Sequence, residues 1–265
     1  DQPRGDAGLF GPESMVWEVH ADFSAMMVGG ISALLLQMLH PLALAGVWDH
    51  STFRQDMLGR LRRTSLFIAG TTYGGLHDAE QLIDKVRRIH LQVVGHAPDG
   101  RPYAASDPEL LTWVHVSEVS QFLAGYLRYV DPQLPQAEQD RYYREVALIA
   151  ERLGAQDVPK SAQAIADYLQ RMRPQLLCDA RTREVVRLLY DAPMPSLLAK
   201  PFGGLMMQAG VDLLPDWASD LLGEHQAAWR RPLIRASVQR TANLLRWAVR
   251  NSAAQRARRR LLPDS

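Results

Sequence analysis

The stretch ISALLLQMLHPLALAGVW, residues 31–48, decides the architecture. It is apolar and nearly as long as the ~20 residues that cross a bilayer. It also contains Gln37, His40 and Pro41. A proline inside a helix removes a hydrogen-bond donor and clashes with the preceding turn. The stretch therefore reads as two buried helices meeting at Pro41, not as one membrane span. The expectation is a soluble, cytoplasmic protein with no transmembrane segment; no signal-like segment opens the sequence at Asp1.

Helical spacing continues outward in both directions, over about 13–28 and 30–47. Phe53 to Ala69 forms a helix that Gly70 ends. Asp78-Ala-Glu-Gln81 reads as an N-cap with glutamine at N3. It opens a stripe of Ala79, Leu82, Ile83, Val86, Ile89, Val93 and Val94. Asp107 with Pro108 at N1 opens the next helix, through Trp113 and Leu127. Further helices fall at about 135–153, 161–177, 180–190, 217–230 and 233–250. Strand signals are confined to the turn Pro98-Asp99-Gly100, which allows one small hairpin at most. The expectation is an all-α protein of about ten helices, with residues 1–265 forming a single domain.

Composition narrows the chemistry. The chain has 265 residues, 47% apolar and 22% charged, with a net charge of +1. That balance provides no single-signed field to recruit nucleic acid. The one cysteine, Cys178, excludes a disulfide framework and a cysteine-rich metal module. There is no GxG, Gly-Lys, GxSxG or His-Glu, which removes the common dinucleotide, P-loop, serine-hydrolase and zinc-helix signatures. Arginines number 27 against 3 lysines. The basic run Arg256, Arg258, Arg259 and Arg260 reads as a solvated tail.

His90 is the most informative of the eight histidines. It lies in the apolar stripe between Val86 and Val94, as either a hydrogen-bonded core residue or a ligand facing a cavity. Arg87, one turn earlier, can hold an anionic group beside it. Arg60, Arg63, Thr64 and Phe67 share one face of the preceding helix. They form either a polar edge to a cavity or a solvated face paired with Asp56 and Glu80. His40 and His50 could bind a metal as a pair with a carboxylate such as Asp49. Trp113-Val114-His115 lies inside a helix.

These pieces together resemble the MpaB-type oxygenases and the catalytic domain of rubber oxygenase, the latex-clearing protein. The matching segments are Leu36-Gln37-Met38-Leu39-His40-Pro41, Asp49-His50-Ser51-Thr52-Phe53 and Arg60-Leu61-Arg62-Arg63-Thr64. Val86-Arg87-Arg88-Ile89-His90 with Gly95, Tyr103-Ala104-Ala105 and Trp113-Val114-His115 follow in order. The likeness is strongest over residues 5–175. It implies a globin-like core holding non-covalent haem b, with His90 as proximal iron ligand. It also implies Arg60 and Thr64 on the distal side. Arg63 stands where rubber oxygenases have a lysine that can ligate iron, which leaves the sixth position open, water-bound, or taken by His50. Arg87, then Arg88 and Arg101, are the expected propionate partners. The implied activity is oxidation of a hydrophobic, unsaturated small molecule by dioxygen, with or without cleavage of the double bond. Alternatives are a haem sensor or carrier without turnover, a non-haem metal enzyme using His40 and His50, and a helical protein whose family pocket is empty.

Overall fold

The computed structural model describes residues 4–192, 200–248 and 253–261. It is all-α: thirteen helices and one two-stranded sheet among the described residues. The helices are α1 (Met15–Val19), α2 (Phe23–Gln37), α3 (Pro41–His50), α4 (Met57–Tyr73), α5 (Leu76–His90), α6 (Pro108–Tyr129) and α7 (Gln136–Leu153). They continue as α8 (Ala162–Met172), α9 (Ala180–Tyr190), α10 (Lys200–Leu213), α11 (Asp216–Leu222), α12 (Arg231–Ala248) and α13 (Ala253–Leu261). Strands β1 (Val94–His96) and β2 (Pro102–Ala104) pair antiparallel, Gly95 opposite Tyr103. Gly100 closes the turn between them at φ +85°.

The centre is the antiparallel pair α2 and α6. A Cβ on Gly29 would come within 2.7 Å of the Gln121 carbonyl oxygen, and one on Gly125 within 2.7 Å of that of Ala25. Only glycine allows the two backbones to lie so close. Ser32 Oγ donates to Gln121 Oε1 across the same seam at 2.8 Å. α10 closes the other side of α2, where Gly210 meets Ile31. Trp113 packs beside Leu35, Leu36, Leu39 and Leu44 in the largest apolar cluster.

The apolar stretch behaves as its sequence implies. The chain bends by 104° between α2 and α3. His40 caps α3, its Nδ1 accepting from the Ala43 amide at 3.4 Å, and Pro41 takes the first helical position. No single helix among the described residues is long and apolar enough to cross a membrane.

Several local expectations are corrected. The run 13–28 is two helices, because the Asp22 side chain caps a fresh start at Phe23. Phe53 lies outside α4 and is buried, and α4 begins under the Asp56 cap and runs through Gly70 to Tyr73. α5 starts at Leu76 rather than after Asp78, since the Asp6 carboxylate accepts from the Leu76 amide at 2.8 Å. α5 ends at His90, so Val94 belongs to β1. The helix expected over 161–177 stops at Met172 and tightens into a 3₁₀ turn, and the one over 217–230 stops at Gly223, φ +70°. α10 was unforeseen. The last two positions of the helix expected over 233–250 lie outside the described residues. The basic tail is no solvated strand of charge but helix α13. Its Arg260 is buried and donates to the carbonyls of Asp6 at 2.8 Å and Tyr73 at 2.9 Å. A cation there meets the negative end of α4.

Candidate active site

α4 and α5 form an antiparallel hairpin joined by Gly74 and Gly75, and Gly70 packs directly against Leu82. Counting away from that contact at equal rise, Thr64 lies level with the last turn of α5, where Arg87 and His90 stand. Arg60 lies in the first turn of α4 and His90 in the last turn of α5, each at the end of its helix remote from the turn that joins them. Leu58 and Leu66 of α4, Ile89 of α5, and Leu91 and Val94 beyond it are exposed, Leu66 and Leu91 by 62%.

α5 is anchored by a narrow stripe. Ala79 and Ile83 are buried, Val86 and His90 half-buried, and the four follow one another at helical spacing. His90 Nδ1 is cut off from solvent and has no hydrogen-bond partner among the described residues. Burial lowers the pKa of the ring, so it is neutral at neutral pH. No carbonyl or carboxylate supports its buried nitrogen, contrary to the usual surroundings of a ligating histidine.

The sequence candidates divide around this point. Arg60 is half-buried and makes no ion pair with the described residues. Burial, then the neighbouring Arg63, pushes its guanidinium down to about 10. Arg63 is exposed and turns to Asp56 at 3.4 Å, whereas Glu80 pairs with Arg152. The Thr64 hydroxyl donates to the Arg60 carbonyl at 3.2 Å. Arg87 flanks His90 three residues away. Arg88 is two residues from His90, about 200° around the helix. It lines a groove with Asp78, Gln81, Leu82, Asp84 and Lys85, to which His90 does not contribute. Arg101 is committed to Asp99 at 2.7 Å.

The pair His40 and His50 does not come together. They stand at opposite ends of α3, a separation of about 15 Å at the helical rise. His40 is buried, and its pKa falls to about 4, from burial first and Arg101 second. His50 is exposed, with Nε2 3.2 Å from the Val94 carbonyl oxygen. Asp49, their expected carboxylate, accepts from the Tyr103 hydroxyl at 2.7 Å. The shared two-histidine site is therefore withdrawn.

His115 is drawn into a cavity instead. Phe67, Ile68, Thr71 and Thr72 of α4 face His115, Glu118, Val119 and Phe122 of α6 and Val146 and Ile149 of α7, with His20 closing one end. The cavity measures about 30 Å³, room for one or two water molecules. His20 is held at both nitrogens, Nδ1 2.9 Å from Thr72 Oγ1 and Nε2 3.0 Å from the Tyr142 hydroxyl. Burial holds His20 at about 3 and His115 at about 4, both neutral. It pushes Glu118 up to about 7. Sequence reasoning missed Glu118. Its signal was available: Glu118 is the only carboxylate between Glu109 and Asp131, and it lies three residues after His115 in the helix that opens at Pro108.

The structure thus defines an all-α protein. The family of the ER-bound oxygenase mpaB/B' and rubber oxygenase catalytic domain matches residues 17–251, and the chain belongs to that family. It is accordingly an oxygenase-type domain, and the match carries the likeness well past residue 175. No curated protein and no solved structure matches it.

Proposed function

We propose that the protein is a haem b-dependent oxygenase that uses dioxygen to oxidise a hydrophobic, unsaturated small molecule. The single observation that carries the reading is His90: a neutral imidazole on the inner stripe of α5, with a buried nitrogen that nothing among the described residues satisfies. An orphaned polar atom costs about 1–3 kcal/mol, and a protein keeps one where a bound group needs it. The surroundings fit the group. Leu66, Ile89, Leu91 and Val94 supply apolar surface for a porphyrin, and Arg60 is a partly buried cation with no carboxylate of its own.

In this scheme His90 would hold the iron and Arg87 would meet a propionate with paired hydrogen bonds. Bound there, the haem would supply the binding and activation of dioxygen. Arg60 would offer charge-assisted donors on that side, while Thr64, its hydroxyl hydrogen spent on the Arg60 carbonyl, would offer an acceptor lone pair. Arg63 leans away to Asp56 and leaves that side without a ligating side chain. The leucines around the mouth exclude water and receive an apolar substrate.

Addition of haem b to the purified protein should give a stoichiometric complex with a Soret band. His90→Ala should lose it, and Arg87→Ala should weaken retention while Arg88→Ala does not. An unchanged spectrum in His90→Ala would remove His90 from the iron.

A further inference from the structure

The cavity beneath α4 holds a carboxyl group that the chemistry above leaves idle. Glu118 has no ion-pair partner among the described residues, and no lysine or arginine lines its cavity. The Gln37 amide, which donates to the Val114 carbonyl at 3.0 Å, lies near enough to favour its ionised form slightly. Three titratable groups face it: His115 on its own helix, His20 after α1, and Tyr142 on α7. His20 and Tyr142 are bonded to each other. His115 makes no side-chain hydrogen bond among the described residues, so it and Glu118 have free capacity toward the cavity. Thr71 donates to the Phe67 carbonyl at 2.9 Å, and its oxygen can still accept. From α4 the cavity is lined by Phe67, Ile68, Thr71 and Thr72; Thr64, exposed, lies one turn nearer the start of the helix, and Arg60 another turn beyond, both outside the cavity wall.

We propose that Glu118 is a proton relay for the site at the open end of the α4–α5 hairpin. Water held between Glu118, His115 and Thr71 carries the proton to and from a ligand bound there. The inference rests on the reading of that end as the haem site. Burial supports it by keeping both forms of Glu118 populated near neutral pH, while His115 stays neutral and Tyr142, raised well above its ordinary range, does not compete. A general acid–base group in such a place is worth roughly a hundredfold in rate.

Two measurements test it. In the protein without haem, difference infrared spectroscopy should show a carboxylic acid band that titrates near neutrality, shifts at once in heavy water, and is absent from Glu118→Gln. In the haem-loaded protein, cyanide is the probe. It binds as the anion, so hydrogen cyanide must surrender its proton in the site. The H–C bond breaks, the electron pair stays on carbon, and the proton passes through water to the Glu118 carboxylate. Association should rise with pH through an inflection near that of the infrared band. Glu118→Gln should abolish the inflection and slow binding roughly a hundredfold above it, and Glu118→Asp should restore part of both. The same inflection in Glu118→Gln overturns the relay, as does a Glu118 band that fails to titrate or to exchange. Failure of haem to bind overturns the proposed function instead, and the infrared measurement alone then decides whether Glu118 exchanges protons with water.

Discussion

The α2–α6 seam and the α4–α5 hairpin are built on opposite terms. At the seam, glycines bring backbone to backbone, Ser32 meets Gln121, and the surrounding leucines are almost wholly buried. On the hairpin, leucines stand in water, a threonine spends its hydroxyl on its own helix, and a histidine nitrogen is shut away unpaired. The contrast separates the part that makes the fold stable from the part that, on the proposed function, gives up stability for a ligand. Substitutions at the two places should therefore have effects of different size and different sign.

The largest effect belongs to the seam. Gly29→Leu pushes a side chain into the Gln121 carbonyl and the Phe122 backbone, neither of which can yield. Overpacking of this kind typically costs 1–3 kcal/mol, and more where backbone must move; here ~4 kcal/mol or complete loss of the cooperative melt is expected. Leu66→Gln on the hairpin should move the melting temperature by no more than the equivalent of ~0.5 kcal/mol. If the two variants melt alike, the division fails.

Acid is the next lever. His20, near 3, His40, near 4, and His115, near 4, are all depressed in the fold below the unfolded value of about 6.5. Their contribution is full above pH 6.5 and is lost as pH falls toward those values. At pH 5 each has given up about 2 kcal/mol. Urea unfolding at pH 7.5 and pH 5 should show the loss, and His20→Gln should remove about 2 kcal/mol of it. Glu118 works the other way. Its folded value of about 7 lies above the unfolded one, so it favours the fold at low pH and opposes it as pH rises from about 4.5 to 7. Glu118→Gln should therefore stabilise the protein by ~2–3 kcal/mol at pH 8 and by almost nothing at pH 4. Stabilisation equal at both would mean that the carboxyl is not perturbed.

How much of this was legible depended on whether the cause was local. The break at His40-Pro41 and the place of His90 on the stripe of Ala79, Ile83 and Val86 follow from neighbouring residues, and both were readable; the end of that stripe at His90 was not, since Val93 and Val94 continue its spacing but leave the helix. Asp78 was misread as a cap because the group that starts α5 is Asp6, seventy residues earlier in sequence. Arg260 was misread as solvated because its partners are the carbonyls at the end of α4. α10 hid behind Lys200-Pro-Phe-Gly-Gly, whose proline and paired glycines suggest a loop until packing against α2 offsets their poor propensity. Arg88 sat beside His90 in the family motif, and only the helical rotation separates them. Glu118 was a single letter until α4 and α7 closed over it.

The smallest stability effect is the sharpest test of the contrast. If His90 is kept for a ligand, the protein without haem gains nothing from its imidazole and carries the cost of a buried, unpaired Nδ1. Truncating it also removes packing on the Val86 stripe, which opposes the gain. The two effects nearly cancel, so His90→Ala should change the unfolding free energy of the haem-free protein by less than ~1 kcal/mol, in either direction. His20 is a histidine of the same size with both nitrogens satisfied at 2.9 and 3.0 Å. His20→Ala strands Thr72 and Tyr142 as well as leaving a cavity, and should cost ~3 kcal/mol. Haem binds only the folded state, so adding it should raise the stability of the unsubstituted protein and of His20→Ala while leaving His90→Ala unmoved. Chemical denaturation of the three proteins with and without haem measures all of this. A His90→Ala variant as damaged as His20→Ala would place His90 among the residues that hold the fold together.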